Sequence, residues 1–234
     1  MVLYVLFSAR RFQAESVLVL ENRLAGLTET LAHAPAAMPV YVASARVMDA
    51  VAGFHIHRGI LAVGRRRDAD LAQALLDALP ERALLVVLVG ISNHDNMGAV
   101  FRNAAAFGVD AVLLDSRSCD PLYRKAIRVS VGAVLKTPFA VAQDADELVT
   151  LLAAKGFDQI ALSPRGVLAI EDAPRSARMA LYLGTEGNGL PESLLSRLKT
   201  VRIGMAGGFD SLNVAAASAI ALHRFAAMAA PEES

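Results

Sequence analysis

Tryptophan is absent from this 234-residue sequence, cysteine occurs once, and 23 basic side chains are matched by 23 acidic ones. With Cys119 alone, no intrachain disulfide can form, which points to a reducing compartment. Zero net charge excludes an overall pull toward nucleic acid, so RNA contact must come from local basic patches or from a dimer surface. No stretch reaches the ~20 uninterrupted apolar residues of a membrane span. The apolar opening VLYVLF is followed by Arg10 and Arg11, whereas a signal peptide carries its positive residues first. There is no internal repeat and no low-complexity tract, only a short polar tail, PEES. These absences predict a soluble, cytoplasmic protein.

What is present is apolar and regular. A hydrophobic share of 55%, rich in Ala and Val, suits a tightly packed α/β protein long enough to bury a sizeable core. Residues 1–64 read as a small α/β module, with strands at 16–20, 39–43 and 59–63. LENRLAGLTETLAH and SARVMDAVAG have amphipathic helical spacing, the second with Ser44 as N-cap. Residues 65–82 combine a basic triplet, an Ala/Leu helix and Pro80 and read as a connector, placing the boundary between 1–80 and 81–234. Beyond it come strand 84–90, helix 97–107, strand 109–114, a helix within 121–135, helix 144–155 and strands 158–162 and 179–184. A short helix opened by Pro191, strand 200–203 and helix 212–229 complete the series. Such alternation implies a mostly parallel sheet covered on both faces.

Three strand-to-helix junctions carry the polar signal, and ligands in open α/β sheets gather at such strand ends. NHDNMGAVFR has Asn96 as a helix cap, Gly98 for close approach and Arg102 able to reach back over the helix mouth, where anions bind well; its bland reading is a cap followed by a surface Arg. GTEGNG (184–189) lacks the order of a dinucleotide loop and the Lys-Ser/Thr of a P-loop, which leaves Glu186 as an acceptor for a ligand with donors, or as an exposed residue of a tight turn. Ser211 and Asn213 open an Ala-rich helix after GMAGGFD, with glycines at Gly204, Gly207 and Gly208; no G-x-S-x-G elbow surrounds Ser211, so a plain cap is its bland reading. His55 and His57 share a strand face but lack a third ligand, so they read as packing or RNA-face residues and no metal is expected. Tyr123, Arg124, Lys125 and Arg128, and Arg65, Arg66 and Arg67, form basic clusters that suit phosphate contacts or simply solvated faces.

In order and spacing these three junctions resemble motifs 1, 2 and 3 of the SpoU/TrmH-type RNA 2′-O-methyltransferases of the SPOUT superfamily, over residues 84 to about 228. The resemblance implies a C-terminal trefoil knot and S-adenosyl-L-methionine as cofactor. It implies methyl transfer to a ribose 2′-hydroxyl of tRNA or rRNA by a homodimer in which basic residues of one subunit complete the other's site. Carried onto this chain, the cofactor wall is Leu183, Gly184, Glu186, Gly187, Ile203, Met205, Ser211, Leu212 and Asn213. Arg102 matches the catalytic arginine, with Asn96, Glu186, Ser211 and Asn213 around it. Because a guanidinium is always charged, Arg102 is expected to bind the target phosphate and stabilise alkoxide charge, the proton leaving through Ser211 or water. Residues 1–80 resemble the family's RNA-binding module. They open directly in its first helix where relatives place a strand earlier, so the module is expected to be clipped. A non-catalytic RNA-binding or ribosome-assembly factor that keeps the fold is the alternative, and a Rossmann enzyme lacks its fingerprint.

Overall fold

Runs of Val, Leu and Ala form two separate sheets, each in its own unit of the chain. The computed structural model describes residues 2–67, 71–207 and 211–226. The middle of the connector, Gly208, the end of the 212–229 helix and the PEES tail lie outside the described residues. The two compact units are Met1–Ala69 and Asp70–Ser234.

The first unit contains α1 (Val2–Ser8), β1 (Phe12–Leu20), α2 (Thr28–Leu31), β2 (Val40–Ala43), α3 (Ala45–Ala52) and β3 (Ile60–Arg66). β1 is central, parallel to β2 and antiparallel to β3. Val17 and Val19 are fully buried in a cluster with Leu3 of α1. Two expectations need correction. LENRLAGLTETLAH forms no continuous helix but two 3₁₀ turns, Glu21–Arg23 and Ala25–Leu27, and the single turn α2, none of them with a buried residue. Gly26 interrupts the pattern, and with Leu27 packed only partly against the core the segment buries too little to hold a continuous helix. The basic triplet is not all connector, since Arg65 and Arg66 end β3, paired with Gln13 and Phe12. Ser44 stands at the N-cap position of α3 without a side-chain capping bond, and Gly53 ends that helix at φ 77°.

The second unit runs α4 (Ala72–Asp77), β4 (Ala83–Leu88), α5 (His94–Ala106), β5 (Ala111–Asp115), α6 (Arg124–Val129), α7 (Ala133–Lys136) and β6 (Phe139–Ala142). It continues with α8 (Ala145–Ala154), β7 (Asp158–Leu162), β8 (Leu168–Ala169), β9 (Arg178–Leu183), α9 (Glu192–Leu195), β10 (Lys199–Arg202) and α10 (Val214–Phe225). Its seven strands lie in the order β6-β5-β4-β9-β7-β10-β8, each neighbouring pair parallel. Leu85 and Val87 pack on one face with Leu148 and Leu152 of α8, while Val86 and Leu88 point the other way and are equally buried. Burial on both faces is why these strands read as unbroken apolar runs. Ala72, Leu75 and Leu76 of α4 belong to the same core.

β6 and β8 escaped the sequence reading, being four and two residues long without a clear apolar alternation. The helix expected within 121–135 is two helices, because Val131 at φ 57° and Gly132 at φ 88° turn the chain between them. After β6 the chain crosses through α8 to β7, and β9 then inserts between β4 and β7. The carboxyl ends of β4, β9, β7 and β10 thereby meet at a reversal of strand order, where α/β sheets open a crevice.

Candidate active site

The site is built from the loops after four neighbouring strands. After β4, the turn at Gly90 and Ile91 is tied down from below. The fully buried Asp115 carboxylate at the end of β5 accepts from the Gly90 N–H at 2.9 Å, and Ser118 Oγ accepts from the Ile91 N–H at 3.1 Å. Ser118 in turn donates its hydroxyl to Asp115 at 2.7 Å. Neither residue drew notice in the sequence, where the signal was no more than a carboxylate closing an apolar strand.

α5 then starts three residues earlier than expected. Its cap is Asn93, whose side chain accepts from the Asp95 N–H at 2.8 Å, and not Asn96. Asn96 sits inside the first turn, 8% exposed, and its polar atoms are used otherwise. At the far end, α10 is capped by Asn213, whose Oδ1 accepts from the Ala215 N–H at 2.9 Å, so the helix begins at Val214 rather than 212. A backbone donor on Oδ1 leaves Asn213 its amide N–H groups, and Nδ2 donates to Asn96 Oδ1 at 3.0 Å. Asn96 must then turn its own N–H groups outward, and Nδ2 donates to Glu186 Oε1. A helix cap thus sets the orientation of two amides in series and holds a carboxylate from a third loop.

Glu186 is presented by a tight turn closed by the Thr185–Gly189 bridge, with Gly187 at φ 91° and Gly189 at φ 66°. A Cβ on Gly184 would lie 2.3 Å from the Gly189 carbonyl carbon, so this position admits no side chain. Gly98 likewise packs against α6, where a Cβ would meet the Ala126 carbonyl oxygen at 2.6 Å. The close approach that Gly98 allows is to another helix.

These loops surround a cavity of about 650 Å³ lined by Leu183, Gly184, Thr185, Glu186, Gly187, Ile203, Met205, Ser211, Leu212 and Asn213. Every residue expected in the cofactor wall therefore stands on one cavity. It is also lined by Asn188, Gly189, Leu190 and Leu195, by Val214 and Ala217 of α10, and by Leu162, Ser163, Pro164 and Arg165 after β7, a loop that the sequence reading had not singled out. Apolar walls (Leu183, Ile203, Leu212) stand beside polar side chains, among them Ser163, Arg165, Glu186, Ser211 and Asn213, a mixture that suits a small polar ligand with an apolar part. The thiol of Cys119 is raised above its ordinary value by burial, with the charges of Asp120 and Glu186 adding to the effect, so it is no ready nucleophile.

Arg102 is not among the lining residues. It is exposed on α5, six residues after Asn96 and hence about 120° around the helix from it. Hydrogen bonds join Asn96, Glu186 and Asn213, with Ser211 on the cavity beside them, and Arg102 stands on another face of α5 from Asn96. The basic residues are scattered: Arg65, on β3, is paired with Glu15 at 2.5 Å, with Arg66 next to it. Arg124, Lys125 and Arg128 lie on α6, Lys125 paired with Asp95 at 2.6 Å. Tyr123 stacks at a tilt on His94, with centroids 4.3 Å apart. His55 hydrogen-bonds Asp49 at 3.0 Å, and no cluster able to hold a metal ion occurs among the described residues. No helix among them is long and apolar enough to cross a membrane.

Comparison with known proteins agrees with this geometry. The family model described as the SpoU rRNA Methylase family matches residues 83–223. An uncharacterized tRNA/rRNA methyltransferase of Mycobacterium bovis is 41% identical over 222 residues, covering 92% of this chain and 75% of the relative. Among solved structures, the SpoU methyltransferase AviRb from Streptomyces viridochromogenes, in complex with AdoMet, superposes with a TM-score of 0.79 at 20% identity, over 95% of this chain and 84% of that one. A structure described as an RNA 2′-O ribose methyltransferase superposes with a TM-score of 0.75 at 26% identity, over 91% and 80% of the two chains.

Proposed function

Because the chain belongs to the SpoU rRNA methylase family, we propose that it transfers the methyl group of S-adenosyl-L-methionine to a ribose 2′-hydroxyl of tRNA or rRNA, as a cytoplasmic homodimer. Membership carries RNA methylation; the ribose 2′-oxygen is our reading, supported by the neighbour of that description. The observation that carries it is the cavity lined by the loops after β7, β9 and β10, to which the first turn of α5 is tied by the Asn213–Asn96–Glu186 chain of hydrogen bonds.

The residues present fit the cofactor. Leu183, Ile203 and Leu212 offer apolar walls to a purine, and Glu186 offers a carboxylate to hydroxyl or ammonium donors. When bound, the cofactor supplies a methyl group made electrophilic by the adjoining sulfonium. The chain's part is positioning, which can account for much of such a rate. Asn96 and Asn213 hold Glu186 in one orientation, so that what it binds is placed before reaction and not during it. Arg102, a permanent cation, binds the target phosphate and stabilises negative charge on the attacking oxygen, and the proton leaves through Ser211 Oγ or water. Since Arg102 does not line its own cavity, the homodimer supplies the missing charge, basic residues of one subunit completing the other's site. Residues 1–80 and the basic clusters at Arg65, Arg66, Arg124, Lys125 and Arg128 take part in holding RNA. The reading also includes a C-terminal trefoil knot; Asn103 donates to the Ala215 carbonyl at 2.8 Å and to Ser218 at 2.9 Å, which fixes α10 on α5 whatever path the chain takes to it.

Mapping 2′-O-methyl marks in total RNA with and without the gene tests the proposal. Loss of a mark on one tRNA or rRNA nucleotide is expected; an unchanged map would remove the ribose assignment.

A further inference from the structure

The loop after β7 lies on the same cavity, yet none of the three motifs includes it. We propose that Arg165, at the tip of this loop, is a cofactor-binding residue that takes the carboxylate at the amino-acid end of S-adenosylmethionine. This rests on the preceding reading of the cavity and adds to it a residue outside the family motifs.

The loop is rigid enough to aim a side chain. The Ser163 N–H donates to the Val201 carbonyl at 2.9 Å, Ser163 Oγ accepts from the Arg165 N–H at 3.3 Å, and the Gly166 N–H returns to the Ser163 carbonyl at 2.9 Å. Gly166 is pressed on β10 so closely that a Cβ would lie 2.2 Å from the Val201 carbonyl carbon. Arg202 donates to the Gly166 carbonyl at 2.8 Å and to the Val167 carbonyl at 2.6 Å, which closes the far side. A turn held at both ends keeps its tip in one place.

Charge identifies the ligand group. Among the described residues lining the cavity, Arg165 is the one cation and Glu186 the one anion. They follow β7 and β9, which are neighbours in the sheet. A cavity with one charge of each sign on adjacent loops complements a zwitterion, and the proposed cofactor carries a carboxylate beside its ammonium and sulfonium. The guanidinium is also ready to exchange partners. Its ion pair with Glu192 is 3.6 Å long, too far for a hydrogen bond, and the two side chains are 83% and 79% exposed. Such a pair contributes little and keeps the fork at the mouth of the cavity with its N–H donors available.

Calorimetric titration of the full chain with two ligands separates this role from a general one. S-adenosylhomocysteine carries the amino-acid carboxylate; 5′-methylthioadenosine has the same nucleoside thioether without it. Arg165→Gln is expected to weaken S-adenosylhomocysteine by about tenfold and methylthioadenosine by less than about twofold. Glu192→Gln, which frees the guanidinium, is expected to tighten S-adenosylhomocysteine by about twofold. Equal losses for both ligands, or no loss for S-adenosylhomocysteine, would overturn the assignment while leaving the cofactor reading intact. A wild-type protein that binds neither ligand would overturn both. Undiminished methylthioadenosine binding also shows that the variant retains a folded cavity.

Discussion

The two units use apolar residues in opposite ways. In the second, the strands at the centre of the sheet are sealed on both faces, with Leu85, Val86, Val87, Leu88, Ala180, Leu181 and Tyr182 at 0% exposure. In the first, Val40, Tyr41, Val42, Val47, Val51 and Phe54 are all exposed. The same residue types are sealed in the sheet of one unit, while in the other many stand at the surface beside a small core around Val17 and Val19. Composition and propensity therefore say which residues favour strands and helices, but burial depends on how many layers surround them. The sealed sheet also holds its loops still, which is what a site assembled from four strand ends requires.

That contrast can be broken first by truncation. Leu181→Ala should cost about 3 kcal/mol, because the cavity left between Val86 and Ile160 has no route to collapse, whereas Val51→Ala should stay within about 0.5 kcal/mol. Urea unfolding followed by circular dichroism reads both, and similar costs would mean that the exposed stripe is covered in solution. Next comes the cap comparison. Asn213→Asp keeps an acceptor for the Ala215 N–H but cannot donate to Asn96, and it adds a negative charge to the chain of hydrogen bonds that ends on Glu186. Methylation should fall about 100-fold with little loss of stability. Ser44→Ala, at an N-cap position without a capping bond, should change stability by only a few tenths of a kcal/mol.

Two glycines sharpen the comparison further. Gly184→Ala drives a methyl into the backbone of Gly189 and Leu190 and should cost about 2 kcal/mol together with most cofactor affinity. Gly53→Ala meets open space, and only its left-handed φ is penalised, by about 1 kcal/mol. The smallest effect is in acid. The Asp49 carboxyl in the first unit is held below its ordinary 3.8 by hydrogen bonds from His55 and the Ile56 N–H, and that of Asp77 in the second by Lys155 and Gln73. Both folded values lie below the unfolded one, so their stabilisation is complete above about pH 4 and is lost as pH falls through the lower folded value. Asp49→Asn and Asp77→Asn should each be less stable than wild type at pH 6 and converge with it once the pH has fallen below the lowered folded value. A gap that persists at pH 2 would assign the effect to something other than ionisation.

Much of this was legible in the chain itself. The alternation of apolar runs with helical spacing announced a parallel α/β sheet, because strands buried on both faces leave an unbroken hydrophobic signature. Asn96, Glu186, Ser211 and Asn213 stood out because Asn, Glu and Ser at strand ends flanked by glycine have little reason to be there for packing. Less legible were features whose cause lies far away in sequence. Asp115 supports a turn 25 residues before it. The loop at Arg165 carries no motif and gains meaning only beside β10. The 20–33 segment had helical spacing, but only Leu27 packs on the core and no residue from Glu21 to Leu31 is fully buried.

Local sequence thus determined which segments are strands and helices, where polar residues interrupt them, and which residue types stand at the junctions, since these follow from periodicity and from the backbone freedom of single residues. Only the tertiary structure decided that β9 lies between β4 and β7, and that Asn96 is held between Asn213 and Glu186 while Arg102 stands about 120° around α5 from it. Strand order and site geometry arise from packing between segments distant in sequence, as in the contact of Asn96 with Asn213 across a separation of 117, and no local pattern encodes a distance of that kind.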